Sequence, residues 1–239
     1  MYRWVLGCYF LLFVAVAQAN YTLNIVTENF PKFQYLNGEG ELVGSAVDKV
    51  KSVLDNSEIN YRISVESWTT AYNTAARDDN TCIFSMAKNE IRGEKFNWIF
   101  PISKFTTSFY ALKSSQISLE SIEDTKQYKV AVIKDNYSHQ FLVKNGFIEG
   151  YNLVLINSFD RVFELLETRR KFVDLVILSD NQFEFKRQHE PLSELLEPVL
   201  TLHNLDTELY FACNKRLSPH VVKKIISSYE QLQSGKVME

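Results

Sequence analysis

The chain has 239 residues, 46% hydrophobic and 13% aromatic, with 26 basic against 29 acidic side chains and a net charge of −3. That length can bury a sizeable core in one large or two small lobes. The mild negative charge and the lack of a basic stripe exclude nucleic acid as an expected partner.

Residues 1–19 read as a secretory signal peptide. Arg3 supplies the positive start, Trp4 to Val16 is apolar, and Ala17-Gln18-Ala19 is a small-residue cleavage motif before Asn20. The apolar run is shorter than the roughly 18 residues that a membrane span needs. Cys8 lies before that run has finished, so it does not suit a lipoprotein site. The chain is therefore expected to be exported from the cytoplasm. Of three cysteines, Cys82 and Cys213 remain after cleavage. Export permits a bridge between them, but both sit in apolar strand-like runs where a buried free thiol is also common. The four histidines are scattered, and no CxxC or HExxH motif occurs. No metal or cofactor is expected.

Tyr21 to Thr27 reads as a first strand, followed by the loop ENFPKF and a turn at Asn37-Gly-Glu-Gly. Ser45-Ala-Val-Asp48 has the spacing of a capping box, opening a helix with Val47, Val50 and Leu54 on one face. Tyr61 to Val65 is a strand. Ser67 caps a helix whose Trp68, Ala71, Tyr72 and Ala75 share a face, and Thr81 to Met86 is a buried strand. A second unit repeats the pattern: strand Lys129 to Ile133, polar turn Asp135 to Ser138, helix, strand Leu153 to Ile156, a helix capped by Ser158 with Phe159, Val162, Phe163 and Leu166, and strand Val173 to Leu178. The order βαβαβ predicts doubly wound α/β units.

Thr106 to Lys113 and Thr207 to Asn214 read as two crossing strands, and a last helix opens at Ser218-Pro219 with Val222, Ile225, Ile226 and Tyr229 inward. The prediction is two doubly wound α/β lobes joined by those strands: lobe 1 from 20–110 and 206–239, lobe 2 from 111–205. A cleft between them permits hinge closure on a ligand. Ser85 and Arg92 stand near the end of the Thr81 to Met86 strand, and strand ends are where open α/β sheets bind ligands. A guanidinium fork matches a carboxylate, whereas an exposed Arg92 would simply pair with Glu90 or Glu94. Trp68 reads equally as core or as a stacking wall of the cleft. Tyr72 reads as core, and Asp174 as structural.

LNIVTENFPKF, GELVGSAVDKVKSVL, SMAKNEIRGEKFNWIFPIS, YKVAVIKDNYSHQFL and KFVDLVILSDNQF, in that order behind a signal peptide, resemble the bacterial extracellular solute-binding proteins of family 3. The resemblance covers nearly the whole mature chain. It implies a type II periplasmic-binding fold and a monomeric receptor without chemistry of its own. Such a receptor captures a small polar ligand with an anionic group and passes it to an ABC permease. It also implies that Arg92 grips a carboxylate and that Ser85 contacts the ligand. Glu28 and Phe30 match the family's first loop, Asn136 and Tyr137 its lobe 2 turn, and Asp180 or Ser179 its acidic position.

The sequence departs from that pattern at Ala87, where a hydroxyl often helps, at Ser179, and in a turn without glycine. Asp135 in that turn would repel a carboxylate unless it points away. Two alternatives stay open: a sensory protein presenting solute to a membrane receptor, and a cyclic-acid dehydratase using Glu28 or Asp180 as acid or base.

Overall fold

The computed structural model describes residues 21–158, 162–168, 172–203, 205 and 208–236. The expected signal peptide, Phe159 and the start of the second crossing at Thr207 lie outside them.

The first unit runs β1 (Leu23–Glu28), a small hairpin β2 (Tyr35–Leu36) and β3 (Leu42–Val43), α1 (Ser45–Asn56), β4 (Tyr61–Glu66), α2 (Trp68–Arg77), β5 (Thr81–Ala87), α3 (Glu90–Gly93) and β6 (Phe96–Lys104). The second runs β7 (Thr107–Leu112), α4 (Ile122–Thr125), β8 (Val130–Ile133), α5 (Tyr137–Lys144), β9 (Leu153–Ile156), α6 (Val162–Thr168), β10 (Leu175–Ser179), α7 (Asp180–Arg187) and β11 (Leu196–Thr201). The chain returns through β12 (Glu208–Asn214) and ends in α8 (Pro219–Lys236).

Two five-stranded sheets result, in the orders β4-β1-β5-β12-β6 and β9-β8-β10-β7-β11. In each, three parallel strands are followed by one that runs against them and an outer strand that again runs with the first three. The fourth strand of each sheet comes from the other side of a crossing: β12 sits between β5 and β6, and β7 between β10 and β11. Neither of these two strands bridges the lobes. β7 pairs wholly within the second sheet and β12 wholly within the first, so the crossings are the short connections after β6 and after β11. A lobe boundary at 110 would cut through β7, because extended residues 107–112 are held by ladder bonds to β10 and β11.

β5 is buried along its whole length, as expected of a central strand covered on both faces. α1 buries Ala46, Val47, Val50, Val53 and Leu54. Its N-cap is Gly44 and not a serine capping box. Gly44 has φ +124°, and a Cβ there would lie 2.4 Å from the Phe33 carbonyl oxygen, so the close approach of that backbone requires glycine. Ser67 caps α2 through a hydrogen bond from the Thr70 N–H. α8 packs on α1 and β6 of the first sheet, burying Val221, Ile225 and Ser228. Its inward face is thus centred one position before Val222, which is half-buried like Ile226 and Tyr229.

Cys82 and Cys213 stand directly opposite on β5 and β12 and form a disulfide. The bridge ties the return strand to the centre of the first sheet across 131 residues of sequence.

Candidate functional site

β5 ends in a kink. Ser85 has φ +59°, and the pairing of β5 with β12 shifts register between Tyr210 and Ala212. Such a bulge at a strand end re-aims side chains. The Ser85 hydroxyl donates to Gln34 Oε1 at 2.7 Å, and Gln34 Nε2 donates to the Thr27 hydroxyl at 3.1 Å. Asn89 then caps the single turn of α3 by accepting from the Arg92 N–H, which turns the Arg92 side chain inward.

Arg92 is fully buried, so it is no surface residue of a solvated helix; Glu90 pairs with Lys144 instead. Its Nη1 donates to the Ala87 carbonyl at 3.0 Å and its Nη2 to the Asp135 carbonyl at 3.2 Å. Its Cζ lies 4.8 Å from the Trp68 ring centroid and 5.5 Å from that of Tyr72. Burial lowers the guanidinium to about 10, with Tyr72, Glu28, Tyr137 and Asp135 opposing that shift, so it stays charged at neutral pH.

Asp135 is the second lobe's contribution to this contact. It holds φ +60° just before α5, whose N-cap is Asn136. Besides Arg92, its carbonyl accepts from Trp68 Nε1 at 2.7 Å, and its carboxylate accepts from the Thr69 hydroxyl at 3.1 Å. Its N–H donates to His139 Nδ1 at 2.9 Å, which fixes the left-handed turn. The Asp135 carboxylate thus points towards α2 and not into an anion site. The carbonyl, not a ligand, occupies one arm of the guanidinium.

Of the nine site residues expected from the sequence, Glu28, Phe30, Trp68, Ser85, Arg92, Asn136, Tyr137 and Ser179 line one inner cavity of about 40 Å³. Asp180 is not among the lining residues. Its carboxylate accepts from the Tyr110 hydroxyl at 2.8 Å, and its N–H donates to the Thr106 carbonyl. Ser179 lines the cavity but is engaged with Gln182 in a capping box at the start of α7.

Two groups of the cavity are exceptions to this self-satisfaction: the buried Arg92 Nε, which has no partner among the described residues, and Glu28. Glu28 is half-buried, and its carboxylate makes no hydrogen bond or ion pair among the described residues. Burial pushes it up to about 8, with the Arg92 charge pulling the other way. It also lines a second, outer cavity of about 470 Å³ together with Trp68 and residues not foreseen from the sequence, including Tyr35, Glu66, Phe185 and Lys186. Glu66 had a visible signal: LNIVTE and YRISVE both end in glutamate, and parallel pairing sets Glu28 directly opposite Glu66. Tyr35 and Phe185 carried none, because only the approach of the two lobes brings their ring centroids to 4.9 Å.

No family model matches the sequence, and no curated protein matches it. The structure is similar to a histidine kinase sensor domain with similarity to periplasmic binding proteins, at TM-score 0.77 and 15% identity, covering 90% of this chain and 91% of that one. It is similar to an ancestral arginine-binding protein bound to arginine, at TM-score 0.76 and 20% identity, covering 90% and 93%. An amino acid ABC transporter substrate-binding protein from Streptococcus pneumoniae, bound to L-arginine, aligns at TM-score 0.73 and 18% identity, covering 90% of each chain. Likeness at these identities speaks to architecture, and it agrees with the strand orders above: the chain has the type II periplasmic binding protein fold.

Proposed function

We propose that the chain is a periplasmic solute-binding protein that closes its two lobes on a small polar ligand and delivers it to an ABC permease. The observation that carries this reading is the convergence on one cleft of strand ends from both sheets, beside a Glu28 carboxylate that no described residue satisfies. A half-buried carboxyl group that makes no hydrogen bond suits a site completed by a ligand. The fold likeness to solute binders supports the same reading.

A carboxylate that took both arms of the Arg92 guanidinium would displace the Asp135 carbonyl from Nη2, whereas the buried Nε has no partner among the described residues. The chain works as a monomer in this reading. A second reading, a sensory protein presenting solute to a membrane receptor, is favoured by the likeness to the kinase sensor domain. Both readings need the same closure, in which ligand prefers the closed state over the open one. Isolation of the chain with a permease or with a sensor kinase separates them.

The test is a thermal-shift screen of the mature chain with amino acids, amines, peptides, dicarboxylates and cyclic acids. A binder at 100 times its dissociation constant adds about 2.7 kcal/mol. If no compound shifts the melt and a cyclic acid is turned over, the dehydratase replaces the receptor.

A further inference from the structure

We propose that the ligand sits in the outer compartment of the cleft, against Glu28 and Glu66 between the Trp68, Tyr35 and Phe185 rings, and that it is an organic cation needing no carboxylate to bind. This rests on the solute-binding reading of the same cleft and names the class of solute.

Space points to the outer compartment. The inner cavity, at about 40 Å³, has room for little more than water. The outer one, at about 470 Å³, falls within the range of about 300–1,000 Å³ typical of small-molecule sites. The two terminal nitrogens of the inner cavity's cation are also engaged, although its buried Nε has no partner among the described residues. Arg92 already donates to the Ala87 and Asp135 carbonyls and lies against Trp68 and Tyr72.

Charge selects a cation. Glu28 and Glu66 are register partners at the ends of β1 and β4, so their side chains leave the same face of the sheet. Both carboxyl groups therefore face the same compartment. Neither carboxylate has a hydrogen bond or salt bridge among the described residues. The one lysine lining the compartment, Lys186, is paired with Glu190. A cation placed between Glu28 and Glu66 favours the ionised form of Glu28 and supplies the hydrogen-bond partner that neither carboxyl group has among the described residues.

The walls suit the same chemistry. Trp68 and Tyr35 come from the first lobe and Phe185 from the second, and Tyr35 and Phe185 meet across the cleft. Aromatic faces attract cations, more strongly once water is excluded. A ligand held there touches both lobes, as a closure-driving ligand must.

The experiment is calorimetric titration of the mature chain with agmatine, putrescine, spermidine and benzylamine, and in parallel with glutamate and succinate. At least one amine binds, and Glu66→Gln and Glu28→Gln each weaken it tenfold or more. Glu66 is exposed, so its replacement keeps the test valid if Glu28→Gln fails to fold. An amine that binds both variants as well as it binds the parent overturns the site. Binding of glutamate or succinate with no amine bound overturns the inference and leaves the solute-binding reading standing. Silence from both panels overturns the inference and removes support from the receptor reading as well.

Discussion

The Arg92 guanidinium meets the Asp135 backbone carbonyl across the cleft, Nη2 to oxygen at 3.2 Å. One residue of the second lobe thus receives bonds from Arg92, Trp68 and Thr69 of the first. Asp135 can offer its carbonyl and its side chain together because it holds a left-handed backbone, pinned by the His139 ring accepting from its N–H. The contact is a latch between the lobes.

Removing Arg92 therefore affects more than ligand. Arg92→Ala leaves the buried Ala87 carbonyl without its side-chain donor, and an unsatisfied buried acceptor costs about 1–3 kcal/mol. The variant melts lower than the parent, and its radius of gyration in small-angle scattering rises as the latch is lost. An unchanged radius would show that Arg92–Asp135 does not hold the lobes together.

Glu28 sets a pH dependence. Its folded pKa is raised to about 8 from 4.5, so between those values the folded chain binds a proton that the unfolded chain has released. Stability from this group is fully present below pH 4.5, falls as pH rises, and is lost above 8. The groups around it are Arg92 on the inner side and Glu66, Lys186, His189 and Glu190 in the outer compartment. Glu28→Gln flattens the fall in melting temperature across pH 5–8, as measured by scanning calorimetry in a pH series. An identical slope in parent and variant refutes the assignment.

The Cys82–Cys213 bridge closes a loop of 131 residues within the first lobe. Bridges of this kind typically stabilise by about 2–4 kcal/mol. Cys82→Ala/Cys213→Ala, compared with the parent with and without reductant, melts lower by a corresponding margin and no longer responds to the reductant. A parent whose melt is indifferent to reductant would argue against the bridge.

Gly44→Ala tests the entry to α1. A Cβ would stand 2.4 Å from the Phe33 carbonyl oxygen at φ +124°, and neither conflict can be relieved without moving β1's following loop. The expected loss is at least about 1–3 kcal/mol. Gly38→Ala, where no atom lies within 4 Å of the added carbon, is the matched control and leaves the melt nearly unchanged.

Much of the architecture was legible in the sequence because it is written in short-range patterns. The buried runs at β5 and β10, the Ser67 cap, and the alternation of strand and helix in both units follow from local periodicity and capping chemistry. The sheet that each strand at a crossing joins is not written in such patterns. Residues 107–112 and 208–214 do form strands, but which sheet each joins depends on partners remote in sequence. Asp180 looked like a ligand contact from its place at a strand end. Tyr110, 70 residues away, takes its carboxylate instead.

The sequence by itself determined that two α/β units would face each other and that Arg92, Ser85, Glu28 and Trp68 would stand near strand ends, because hydrophobic period and strand termini are local properties. Tertiary structure alone decided what those residues do. It engages the guanidinium of Arg92 with Ala87 and Asp135, joins Cys82 to Cys213, and sets Glu66 directly opposite Glu28. Hydrogen bonding and charge pairing act over a few ångströms in space, and the chain reaches those distances only after folding has brought distant segments together.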